Sequence, residues 1–212
     1  MHQFALPLAL PDGPARIVGG ASLEPVFAAL QASTNWPYGT AVLTGPPRSG
    51  KSLLAHWFVS SGAGEAIDDA DQIAEIDVFH RWNHAQAAGR ALLLTASAGV
   101  AGPGQTSGWH VALPDLASRL GAALPLGIAA PDDTLLRALV EEHARRRALI
   151  VGEGVLDWLI GRIERSHAMA EAVIAKLDRL SLERKVPITL GLARDALIAL
   201  GAGDGLWQPQ LL

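Results

Sequence analysis

An α/β fold, a parallel sheet flanked by helices and followed by a small all-helical unit, is predicted by three features of this 212-residue chain. Ala41-Val42-Leu43-Thr44 is a short apolar run that ends in a glycine-rich turn, after which Leu53, Leu54, Trp57 and Phe58 recur at helical spacing. Ala91-Leu92-Leu93-Leu94-Thr95 is a second run of the buried-strand kind, bounded by Gly89 and by Ser97-Ala98-Gly99. Past Pro131 only helical periodicity continues. Strands that alternate with helices need crossover connections, and those generate a parallel sheet.

The weaker elements fit the same frame. His110-Val111-Ala112-Leu113 and Leu126-Gly127-Ile128 read as further strands. Asp132 or Asp133 can cap a helix carrying Leu135, Leu136, Leu139 and Val140 on one face. Helical patterns follow near 155–164, 169–183 and 189–200, and no strand is expected after Gly152. The predicted organisation is an N-terminal tail at 1–12, an α/β core at 13–130 and a helical unit at 131–212.

Half of the chain is apolar and 18% is charged, so a sizeable core is expected rather than disorder. The net charge is −4 and the pI about 5.9, which argues against a broad nucleic-acid surface and direct sequence-specific DNA binding. Cysteine is absent, which excludes disulfides and thiolate metal sites and fits a reducing cytoplasm. The N-terminal apolar patch has no preceding Lys or Arg and is interrupted by Pro7, unlike a signal peptide. The apolar runs fall short of the ~20 residues that a membrane helix requires. A cytoplasmic protein without membrane contact is expected.

Gly45-Pro46-Pro47-Arg48-Ser49-Gly50-Lys51-Ser52 fits Gly-x-x-x-x-Gly-Lys-Ser/Thr without a gap, between an apolar run and a helical pattern. A turn of that length wraps phosphate oxygens with successive main-chain N–H groups, and its glycines supply positive φ. The helix from Lys51 through Leu53 adds its N-terminal dipole, Lys51 reaches the outer phosphates, and the Ser52 hydroxyl is placed for Mg²⁺. The acidic partner is expected in Ala66-Ile67-Asp68-Asp69-Ala70-Asp71, with Asp68 on the metal and Asp69 orienting a water. A solvated acidic turn is the alternative, since 62–65 offers almost no apolar run. The stretch from Ser52 to Asp68 has room for one helix and hardly for more.

These segments together resemble the nucleotide-binding region of the DnaA family of AAA+ P-loop proteins, in its shorter Hda branch, over about residues 4–200. Ile17-Val18-Gly19-Gly20 is similar to the family's adenine-cradling entry, which places Ile17 and Val18 at the nucleotide. Leu92-Leu93-Leu94-Thr95-Ala96-Ser97 resembles the sensor 1 strand, with Ser97 facing the γ-phosphate side. Leu113-Pro114-Asp115-Leu116-Ala117-Ser118-Arg119-Leu120 resembles the box that carries the arginine finger, with Arg119 in the finger position. From local pattern alone, Arg119 could simply pair with Asp115. Pro131-Asp132-Asp133 resembles the start of the lid, and the helix after Arg165-Ser166 resembles the one bearing sensor 2. There Ala168 stands where the family has Arg, with Arg165 a turn away, so weak intrinsic hydrolysis is expected. With the sequence reaching Leu212 soon after the lid, a helix-turn-helix domain like the initiator's is not expected.

Gln3-Phe4-Ala5-Leu6-Pro7-Leu8 resembles the peptide by which Hda-type proteins dock on the sliding clamp of DNA polymerase III. Leu6 and Leu8 would fill an apolar pocket, Gln3 would give the directional contact, and Pro7 would restrain the backbone. An apolar tail packed on its own domain is the alternative. The resemblance implies a regulator that carries ADP or ATP with Mg²⁺, docks on the clamp and stimulates ATP hydrolysis by DnaA, an activator more than an enzyme. An autonomous ATPase of the helicase-loader or clamp-loader type is the other reading, and self-association stays open. His80 and His84, at i and i+4, read as a packed or solvated pair or two thirds of a metal site. His143-Ala144-Arg145-Arg146-Arg147 reads as a helix C-terminal basic cluster or a partner contact. The six tryptophans read as packing residues.

Overall fold

The computed structural model describes residues 23–101 and 108–201. The chain divides into two compact units, 1–129 and 130–212.

The first unit is built, among its described residues, on four strands, β1 (Thr40–Thr44), β2 (Glu65–Ile67), β3 (Leu92–Ala96) and β4 (Leu124–Gly127). They lie in the order β2-β3-β1-β4 and every pair is parallel. The helices are α1 (Glu24–Gln31), α2 (Lys51–Ser60), α3 (Glu75–Ala87) and α4 (Pro114–Gly121). Side chains alternate across the central strands. Ala41, Leu43 and Leu93 pack with Phe27, Leu54 and Phe58 of α1 and α2. Val42, Leu92 and Leu94 pack with Val78, Trp82, Leu116 and Leu120 of α3 and α4. Burial on both faces is why β1 and β3 read as unbroken apolar runs. It also puts the helices that follow the neighbours β1 and β3 on opposite faces, which opens a crevice at the carboxyl ends of these strands.

Strand β2 has three residues, and its approach is tight. A Cβ on Gly64 would stand 2.3 Å from the Ala91 carbonyl oxygen and 2.8 Å from the Phe58 ring. Only a residue without a side chain lets the backbone pass there. The sheet thus keeps an edge strand beyond α2, despite the short span between Ser52 and Asp68.

Residues 110–113, expected as a strand, form none. The Ala112 and Leu113 N–H groups each donate to the Glu75 carboxylate at 2.8 Å, so a side chain occupies the donors that a ladder would use. Pro114 then opens α4 with its φ already helical. Leu126 and Gly127 do fall in β4, which begins earlier, at Leu124.

The second unit consists, among its described residues, of α5 (Asp133–Arg146), α6 (Glu153–Ile160), α7 (His167–Arg184) and α8 (Leu190–Ala199). Leu136, Val140, Leu159, Val173, Ile174 and Ala196 form the centre of its core. Three of the helices carry side-chain N-caps. Asp132 accepts from the Leu135 N–H at 2.7 Å, Ser166 from Met169 at 3.1 Å and Thr189 from Leu192 at 3.3 Å. Each cap contributes about 1 kcal/mol. Among the described residues no helix is long and apolar enough to cross a membrane.

The basic cluster at the end of α5 has an internal partner. Glu142, 8% exposed, accepts from Arg145 Nε and Nη2 and from Arg146 Nε, all at 2.8 Å. The Arg145 hydrogen bond, helped by Arg146, holds the Glu142 carboxyl down at about 2 against the opposing pull of burial. A carboxyl depressed in the folded state stabilises above its unfolded value of 4.5 and loses that contribution as pH falls towards 2. Urea unfolding of the full chain across this range will therefore show this unit losing up to about 3 kcal/mol from this group. Glu142→Gln will be less stable at neutral pH and will show a flatter acid limb; an acid limb as steep as wild type would contradict the assignment.

Candidate functional site

Because all four strands are parallel, the segments that leave β1, β2 and β3 emerge at one edge of the sheet. These segments are the turn 45–50, the acidic pair Asp68-Asp69 and the step from Thr95 to Ser97. Strand β3 lies between β1 and β2, so the acidic pair stands about 10 Å from the line of the turn.

The turn has the geometry its sequence predicts. Arg48 and Gly50 are left-handed, with φ of 64° and 91°. For Arg48 that conformation costs roughly 1–2 kcal/mol and needs the surrounding loop to hold it. Gly45 has no space for a side chain: an added Cβ would lie 2.9 Å from Ile128 Cβ and 3.0 Å from Ser49 Oγ. Gly50 opens α2 with no side-chain cap, in contrast to the capped helices of the second unit, so the first N–H groups of α2, from Lys51 to Leu53, have no intrahelical acceptor. Lys51 is 8% exposed, and its ammonium donates to the Gly45 and Pro46 carbonyls at 2.9 and 3.1 Å. Ser49 is 5% exposed, and its Oγ is buried with no hydrogen-bond partner. Pro46 is half-buried, while Pro47 and Ser52 are exposed. Uncapped amides, a buried ammonium and an orphaned hydroxyl beside a glycine that tolerates no Cβ suit a phosphate group.

On the far side of β3, the Thr95 hydroxyl donates to Asp68 Oδ1 at 2.5 Å and accepts from the Asp69 N–H at 2.8 Å. Asp69 is itself left-handed, with φ of 46°. The Ser97 N–H donates to Asp71 Oδ2 at 2.9 Å, while Asp71 Oδ1 is buried without a partner. The acidic turn is therefore fastened to the end of β3, while the Asp68 and Asp69 side chains remain exposed. Asp71 lies in the acidic stretch that the sequence singles out but has no role assigned there, and Thr95 shows in the sequence only as a threonine ending an otherwise apolar run.

Arg119 is not part of this edge. It lies in the last turn of α4, a crossover helix that runs back from the carboxyl edge towards the start of β4. It does not pair with Asp115. Its guanidinium sits 4.2 Å from the Trp82 ring centroid and 4.8 Å from that of Phe79, and Nη1 donates to Asn83 Oδ1 at 2.6 Å. Glu75, Phe79, Trp82 and Asn83 recur at three- and four-residue steps, so one stripe of α3 holds both the loop entering α4 and the arginine leaving it.

His80 and His84 are exposed on α3, and among the described residues no group of three His, Cys, Asp or Glu side chains could hold a metal. Trp36 stacks on Phe58 and Trp57 meets Phe27 edge-on, in packing roles. In the second unit, Ala168 lies in the first turn of α7, and Arg165 donates to both Asp133 oxygens, at 2.7 and 3.1 Å, which holds the Asp133 carboxyl below its ordinary range. Gln3, Leu6, Pro7, Leu8, Ile17 and Val18 lie outside the described residues.

Residues 132–197 match the family model of the Hda lid domain. The fold is similar to domain III of the Thermotoga maritima replication initiation protein DnaA, with a TM-score of 0.68 at 14% identity over 86% of this chain and 94% of that one. It is also similar to a replication initiator DnaA bound to AMPPCP and single-stranded DNA, with a TM-score of 0.58 at 15% identity over 80% of this chain and 66% of that one. The Thermotoga maritima RuvB Holliday junction branch migration motor matches with a TM-score of 0.59 at 14% identity over 84% and 68%. At these identities the structures establish the AAA+ fold, a parallel-sheet core with a helical lid, and the lid match adds the branch. Together they support the assignment of this chain as an Hda-type, DnaA-homologous protein of the AAA+ class.

Proposed function

We propose that this chain regulates the initiation of DNA replication: with ADP or ATP and Mg²⁺ in the turn 45–53, it docks on the sliding clamp through 3–8 and presents Arg119 to ATP held by DnaA. The observation that carries this reading is a separation. The phosphate turn lies at the carboxyl edge of the sheet, whereas Arg119 lies in the last turn of α4, against α3. An arginine so placed suits the phosphate of another subunit and not that of its own turn. The DnaA relative bound to AMPPCP supports a nucleotide in the corresponding place.

Each group at the edge then has a defined task. The amides of 45–53 receive phosphate oxygens, with Ile17 and Val18 against the base. The Lys51 ammonium exchanges its two carbonyl acceptors for phosphate. Ser52 and Asp68 hold the metal, Asp69 orients water and Ser97 faces the γ-phosphate side. The metal, when bound, neutralises charge on the phosphates. Intrinsic turnover is weak on this reading, because Ala168 supplies no guanidinium and Arg165 is engaged by Asp133. The presence of Lys51, Asp68 and Asp69 on one edge favours a second reading, an autonomous ATPase, which steady turnover by the isolated chain would establish.

The test is hydrolysis of DnaA-bound ATP in the presence of DNA-loaded clamp. Wild type is expected to stimulate it, and Arg119→Ala to lose stimulation by about 10³ or more. The substitution also removes a two-ring cation–π contact and a hydrogen bond, at a cost of about 1–2 kcal/mol in unfolding. Asn83→Ala supplies the control: it weakens the same packing but keeps the guanidinium, and should still stimulate. Equal stimulation by wild type and Arg119→Ala would reject the proposal.

A further inference from the structure

We propose that Thr95 is a positioning residue for the Mg²⁺ ligand Asp68, an inference that rests on the reading of 45–52 and Asp68 as a nucleotide–metal site. Strand β2 pairs Glu65 with Leu92, Ala66 with Leu93 and Ile67 with Leu94, and there the ladder stops. The next pair in register is Asp68 and Thr95. At that step the main-chain ladder gives way to a side chain. The Thr95 hydroxyl has one proton and two lone pairs, and both functions are engaged: the proton goes to Asp68 Oδ1 at 2.5 Å, and a lone pair receives the Asp69 N–H at 2.8 Å.

Each contact does something that the backbone alone does not. The bond to Asp68 is short and charge-assisted, and it fixes one carboxylate oxygen. Asp68 Oδ2 has no protein partner among the described residues. The bond to Asp69 holds a non-glycine residue in the left-handed region, with φ of 46°, at the point where the chain turns away from the sheet. Thr95 itself is fully buried and β-branched, so its own rotamer is stiff and its hydroxyl does not wander. A carboxylate with one oxygen anchored and one free is prepared to meet a cation without having to be ordered first.

Calorimetric titration of ADP into the full chain, at a series of Mg²⁺ concentrations and in EDTA, tests this. Thr95→Val keeps the shape and removes the hydroxyl. It is expected to raise the Mg²⁺ concentration for half-maximal tight binding about tenfold, as loss of a partner behind a metal ligand does, while ADP affinity in EDTA stays within about twofold of wild type. Thr95→Ser, which restores the hydroxyl, is expected to return most of that shift. Thr95→Ala carries the test if the valine variant does not fold. An unchanged Mg²⁺ midpoint in the valine or alanine variant would overturn the proposal, as would an equal loss of affinity in Mg²⁺ and in EDTA, the mark of a purely structural role. Absence of ADP binding by wild type would instead overturn the underlying reading of the site, and the role of Thr95 with it.

Discussion

Parallel pairing of β1 with β3, and of β3 with β2, is the constraint from which the rest of the site follows. Parallel strands deliver every outgoing segment to one edge, so the turn 45–50, the acidic pair and the polar end of β3 meet without any segment reaching across the domain. The register then decides which residues face each other. With Ile67 opposite Leu94, Asp68 falls to Thr95 and the strained turn at Asp69 is tied down by the same hydroxyl. A one-residue slip of β2 would send Ile67 out of the core and take the carboxylate from its partner.

The same topology separates two kinds of chemistry. Groups that follow strands gather at the carboxyl edge, whereas groups late in crossover helices are carried to the opposite end of the sheet. Arg119 belongs to the second kind. Its sleeve of Phe79, Trp82 and Asn83 presents a guanidinium on the α3 side of the domain, and Glu75 steadies the loop that leads to it. On the proposed function, this separation lets the domain hold a nucleotide at one end and offer Arg119 to a second nucleotide-bound protein at another.

Much of this was legible in the sequence, for identifiable reasons. The turn 45–52 is a local motif whose residues act through their own backbone, so spacing alone specifies it. Strands β1 and β3 are buried on both faces and announce themselves as apolar runs. The helices of the second unit show their periodicity, and Asp132, one of the two expected caps, does cap α5; the caps Ser166 and Thr189 emerge only in the structure. What stayed hidden depends on partners distant in sequence. Strand β2 is short and led by Gly64, whose purpose is clear only against Phe58 and Ala91. Residues 110–113 alternate like a strand, yet their amides are taken by Glu75, some 37 residues away. Thr95 looks like the end of an apolar run until the register sets it against Asp68. Arg119 finds Asn83 on another helix instead of Asp115 on its own, because two aromatic faces of α3 are worth more to a guanidinium than an exposed ion pair.

Everything proposed for this protein depends on the main-chain amides of 45–53 and the Lys51 ammonium gripping a nucleotide's phosphates. Calorimetric titration of ADP and of ATP into the full chain, with Lys51→Ala as comparison, addresses this most directly. Saturable binding by wild type, weakened about tenfold or more when the ammonium is removed, is the predicted result. No binding of either nucleotide at millimolar concentration, or equal binding by wild type and the alanine variant, would contradict it.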